Sequence, residues 1–160
     1  MFRTMDYQDL MSHYAQGSDV LVKALKGVSD AQLDEVPIPD TWSIRQIVCH
    51  LADAEIVYAD RMKRVLVDDN PTVLEWSPDK SVEDAFCRHR KIDNELTVIA
   101  SIRRHMISIL QHQEVEIWQR TAVHSLEGPM TLETLLERIV EHVPHHCRFI
   151  EQKRAAFEKA

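Results

Sequence analysis

The chain has 160 residues, 44% of them hydrophobic and 28% charged, and a formal net charge of −7 at pH 7. That acidic balance argues against a nucleic-acid partner, whose phosphates would repel it, and neither Arg103-Arg104 nor Lys63-Arg64 builds a basic stripe. No apolar run is long enough to span a bilayer, so no membrane partner is expected.

Three glycines and six prolines among many charges at helical spacing favour an all-α chain over a turn-rich sheet protein. The N-terminus carries Asp6 and Asp9 and lacks the apolar core of a signal peptide. Cys49, Cys87 and Cys147 form no CxxC pair, and their odd number suits a reducing compartment. A cytoplasmic location is expected.

The first helix is expected from Met5 to Lys26, with a stripe of Tyr7, Leu10, Tyr14, Leu21 and Leu25 and a stop at Gly27. Ser29 through Gln32 spells a capping box opening a short helical turn, and Pro37 and Pro39 forbid a continuous helix beyond it. At Thr41-Trp42-Ser43 a strong start follows. Ser43 caps, Gln46 completes the box and Trp42 staples onto Ile47, opening a helix that runs to Val67. His50 sits on the edge of its stripe.

A third long helix is expected from Ser81 to Gln111, with Val82, Ala85, Phe86, His89, Ile92, Leu96, Ile99, Met106 and Leu110 on its apolar face. The segment from Gln113 to Pro129 has no clear period, and Gly128-Pro129 marks a turn. Thr131 caps the last helix, with Met130 stapling onto Leu135, and that helix runs to Phe157 unless Pro144 breaks it. Four long amphipathic segments with no repeat or linker describe a four-helix bundle, with residues 1–160 as a single domain.

Nine histidines divide by position. His13 and His112 have polar neighbours, and His105 beside Arg103 and Arg104 reads as surface. His89 on an apolar stripe reads as half-buried. His142 and His146 differ because they share one helix face, the spacing that directs two imidazoles to one ion. His50, on the core-facing edge of another helix, is the proposed third ligand, with His89 and His145 as substitutes. Pro144 between the pair predicts a kink. Asp53, one turn after His50, is either an acceptor orienting a liganding imidazole or a solvated carboxylate. Cys49 and Cys147 read as small core fillers.

Trp42-Ser43 opening a helix, His50-Leu51-Ala52-Asp53-Ala54-Glu55 within it, the stretch from His124 to Leu132 and the C-terminal HxxxH together resemble the DinB-like (DinB/YfiT-like) family. The resemblance spans Thr41 to Ile150. It implies an up-down-down-up four-helix bundle holding a divalent metal ion through His50, His142 and His146. The usual ion is nickel or zinc, with iron compatible with the donor set. It also implies homodimers acting on small molecules, either as transferases of low-molecular-weight thiols such as bacillithiol or mycothiol, as a mycothiol-dependent isomerase, or as hydrolases. His124 matches a recurrent family position without a ligand role. No separate general base is identifiable, so a non-catalytic metal-binding module or a structural dimeric bundle stands as the alternative.

Overall fold

The first stripe folds as helix α1 (Tyr7–Leu25) in the computed structural model, which describes residues 7–159. The expected start at Met5 therefore lies outside the described residues. Gly27, at φ 82°, turns the chain where a side chain would be strained. Both halves of the Ser29–Gln32 capping box form and open α2 (Asp30–Asp34). The Ser43–Gln46 box opens α3 (Ile44–Val67) in the same way.

After a short α4 (Pro78–Ser81) that ends where the third helix was expected to begin, the expected helix is broken into α5 (Asp84–Cys87) and α6 (Ile92–Leu110). The side chains of Asp84 and Ala85 are not described, so the stripe position of Ala85 falls outside the description. Tertiary contacts override the local period here. Val82 and Cys87 turn aside to bury against Cys49 beneath Trp42. Gln46 Nε2 donates to the freed Val82 carbonyl at 2.7 Å, and Arg45 Nη1 to that of Arg90 at 2.6 Å. Arg90 itself clamps Asp53 with two hydrogen bonds, at 2.9 and 2.8 Å, and also reaches Glu95. His89 and Phe86 are consequently exposed.

The unread stretch forms a 3₁₀ turn (Val115–Gln119) and two strands, β2 (Thr121–His124) and β3 (Gly128–Thr131), paired antiparallel. β1 (Thr72–Val73) adds to β2 in parallel. This small sheet is an addition to the bundle that the sequence reading did not contain. Thr131 then caps α7 (Leu132–Phe157), accepting from the Thr134 amide at 3.1 Å, and the helix runs unbroken through Pro144.

α1 packs on α6 and α7, and α3 packs on the same two helices. The ends give the directions. Arg154 Nη1 donates to the Ala24 carbonyl at 2.8 Å and Tyr7 stacks on Trp118 just before α7, so α1 and α7 run together. Lys153 meets Thr41 ahead of α3, and Lys63 lies 3.3 Å from His105, so α3 and α6 run together and opposite to α7. The bundle is up-down-down-up. No helix among the described residues is long and apolar enough to cross a membrane.

One polar cluster lies at its centre. Arg103, one of the isolated Arg103-Arg104 pair that builds no basic stripe, is 1% exposed and pairs with the fully buried Glu55. Its Nε donates to Glu55 Oε1 at 2.7 Å, Nη1 to the Tyr14 carbonyl at 2.7 Å and Nη2 to the Ile139 carbonyl at 3.2 Å. Tyr14 Oη donates to Glu55 Oε2 at 2.9 Å. Gly17 leaves room for the guanidinium, since a Cβ there would lie 1.8 Å from Arg103 Nη1.

Removing one member of a buried pair strands the other charge. Arg103→Met is expected to cost about 3–5 kcal/mol in urea unfolding, and adding Glu55→Gln should recover much of it. An unchanged midpoint for the single variant would contradict this placement.

Candidate metal centre

α3 and α7 cross so that His50 faces the pair His142 and His146. One ring nitrogen from each of the three histidines lies within 4.8 Å of the others. His50 Nε2 and His142 Nε2 are 2.9 Å apart, and each pair of rings has its centroids 4.7 Å apart. His50 is buried, and the other two are half-buried. Pro144 leaves the two α7 histidines on one face, since α7 is continuous. His145 is exposed, with Nδ1 3.0 Å from an Arg148 nitrogen, and stays outside the cluster. His89 is exposed and is not one of the converging histidines, and His13, His105 and His112 are exposed as expected.

Two indoles frame the cluster. Trp76 stacks on His50, with centroids 5.4 Å apart and planes at 8°, and Trp42 stacks on His146 at 6.1 Å and 6°. Sequence reasoning used Trp42 only as a staple and gave Trp76 no role. A tryptophan on either side of the helix that carries His50 was the available signal.

All three imidazoles are held neutral. Burial pushes His50 down to about 4, and burial with mutual repulsion pushes His142 and His146 to about 3. The Nε2 atoms of His50 and His142 meet each other, and the buried Nδ1 atoms of all three have no partner among the described residues. The cluster is thus three neutral rings whose nitrogens face one another rather than other groups of the protein. A divalent cation fits this donor set: neutral imidazoles suit zinc, nickel or iron and leave coordination positions open.

Asp53 does not orient His50. Its two oxygens are taken by Arg90, and no sequence signal linked Arg90 to a residue so distant in the chain. Glu55, two residues beyond Asp53, belongs to the core pair. Burial pushes its carboxyl up against the opposing pull of Arg103. Burial raises the thiols of Cys49, to about 12, and Cys147, to about 11, so both fill core as inert thiols.

A second group, Glu75, His124 and Glu127, is close enough for an ion but chemically unsuited to one. His124 Nδ1 accepts from the Leu126 and Glu127 amides at 3.3 and 3.2 Å. The proton is then on Nε2, which lies 3.2 Å from Glu75 Oε2 and donates to it. His124 ties the β2–β3 turn to the residue preceding Trp76.

Two cavities flank the histidines. One of about 980 Å³ lies between α1 and α7 and reaches His142. The other, about 390 Å³, reaches His146 and is walled by Trp42, Ile47 and Phe149, with Lys153 at its far end. Lys153, on the same face of α7 two turns beyond His146, was another residue that sequence reasoning passed over.

A family model described as the DinB superfamily matches residues 13–150. Proteins of Bacillus cereus and Bacillus thuringiensis, whose names propose a metal-dependent hydrolase, are 27% identical over 134 residues, covering 84% of this chain and 77% of theirs. YfiT from Bacillus subtilis, described as "a probable metal-dependent hydrolase with an unusual four-helix bundle topology", superposes with a TM-score of 0.89 at 20% identity, over 99% of this chain and 91% of that one.

Because the folded cluster resists protonation, the unfolded chain binds more protons once the pH drops below the ordinary histidine value of 6.5. The chelated protein should therefore lose stability steadily as pH falls from about 6.5 toward 4, with a shallower slope in His142→Gln. Equal slopes in thermal melts of the two proteins would contradict the buried neutral cluster.

Proposed function

The chain belongs to the DinB superfamily, and from that premise we propose that it is a metal-dependent hydrolase whose divalent ion, zinc or nickel, is held by His50, His142 and His146. The observation that carries the reading is the convergence of three neutral imidazoles from two helices, one nitrogen of each within 4.8 Å of the others, beside cavities of substrate size. The names of the Bacillus relatives favour hydrolysis over thiol transfer. The same open positions would accept a low-molecular-weight thiol, which is the second reading.

The chain's own residues have three tasks in this scheme. His50, His142 and His146 keep their lone pairs free of protons at neutral pH, because burial disfavours their charged forms. Trp76 and Trp42 fix the ring planes of His50 and His146 by stacking and keep bulk water from their flanks. The Arg103–Glu55 pair holds α3 and α7 at the spacing that lets the rings meet. A divalent ion bound there supplies Lewis acidity, which brings the pKa of water toward neutrality. The scheme takes a small-molecule substrate, and the family resemblance adds a homodimeric assembly.

Untagged protein is expected to carry about one ion per chain, and His50→Ala, His142→Ala and His146→Ala each to lose it. Metal analysis should be combined with a panel of activated esters and amides, with and without added thiols. Hydrolysis that follows metal content without thiol supports the first reading, and activity only with a thiol and an electrophile supports the second. Fully metallated protein inert in both would contradict an enzyme and leave a metal-binding module.

A further inference from the structure

Lys153 is 2% exposed, yet it has no ion pair among the described residues. Its Nζ donates to Thr41 Oγ1, its partner among the described residues, and the Thr41 hydroxyl passes its own proton to the Ile38 carbonyl at 2.8 Å. An ammonium carries three N–H groups, so two are left without a protein acceptor. A leucine or methionine on this face would avoid the cost of burying an unpaired cation. Desolvation lowers the pKa of Lys153, in keeping with that cost.

The cavity explains the placement. Its walls are mostly apolar rings and aliphatic side chains, with the Thr41 hydroxyl and the Gln152 amide as polar lining, His146 of the metal cluster at one end and Lys153 at the other. The two lie two helical turns apart, about 10 Å along the axis. Asp40, the carboxylate that also borders the cavity, is exposed at the rim and beyond ion-pair distance of Nζ. One cation in an apolar cavity suits a singly charged group, and an acidic rim disfavours a second negative charge. A volume near 390 Å³ suits a body the size of an arylalkyl group.

We propose that Lys153 is the specificity-determining residue for a small amphipathic carboxylate, whose apolar body lies against Trp42 and Phe149 and whose reacting group lies at His50, His142 and His146. The assignment rests on the metal-dependent reading for the reacting end, and on Lys153 alone for the carboxylate end.

The probe pair is 3-phenylpropionate and its neutral amide, titrated by calorimetry and by tryptophan fluorescence against the whole 160-residue chain, both as purified and after chelation. The carboxylate should bind at least about tenfold more tightly than the amide in both forms, the difference expected of a hydrogen bond to a charged group. Lys153→Met should bind both probes equally, melt no lower than wild type and keep the wild-type metal content. Lys153→Gln provides the same comparison if the methionine variant is poorly folded. The proposal is overturned if wild type does not discriminate, if discrimination is present only before chelation, or if it survives in the lysine variants. A wild type that binds no metal but still prefers the carboxylate after chelation would remove the metal reading and leave Lys153 as the anion site.

Discussion

The Arg103–Glu55 pair joins all four long helices, and the placement of the histidines depends on it. Arg103 comes from α6 and Glu55 from α3, while the carbonyls that complete the guanidinium's hydrogen bonds belong to Tyr14 of α1 and Ile139 of α7. Glu55 lies five residues from His50 along α3, and Ile139 three residues from His142 along α7. A buried ion pair adds little net stability compared with apolar packing, but it penalises any sliding that would strand a charge. The vertical register of α3 against α7 is therefore tightly specified where three imidazoles must meet. Gly17 is part of the same constraint, since α1 approaches the guanidinium too closely for any side chain there.

Above that pair, local chemistry runs in one direction. Removal from water makes the imidazoles neutral, neutrality keeps their nitrogens available, and one nitrogen from each ring meets the others where α3 crosses α7. The usual supporting carboxylate is missing because Arg90 has taken Asp53 to pin the α4–α5 segment onto α3. Orientation comes from aromatic stacking instead, and the loop carrying Trp76 is steadied by the bond between Glu75 and His124.

Features governed by neighbours in sequence were legible in the sequence. The Ser43–Gln46 box, the Thr131 cap and the i, i+4 spacing of His142 and His146 each depend on one turn of helix, and each has the expected geometry. Features governed by distant partners were not. Charged residues at Arg103, Glu55 and Lys153 look like surface until their burial is known, and the third helix breaks because Val82, Cys87 and Arg90 find partners on α3. Strands of two to four residues leave no alternation long enough to detect. Pro144 does not end α7, which packs along its length and continues through it.

The central claim is that His50, His142 and His146 bind an ion only when the chain is folded. Thermal melting of metal-loaded and chelated protein tests it most directly, because such an ion stabilises the folded state by linkage. The wild-type melting temperature should fall by several degrees on chelation, roughly as expected for a ligand well above its dissociation constant, and His146→Ala should show no chelation effect. A wild type that melts at the same temperature in both states would contradict the site.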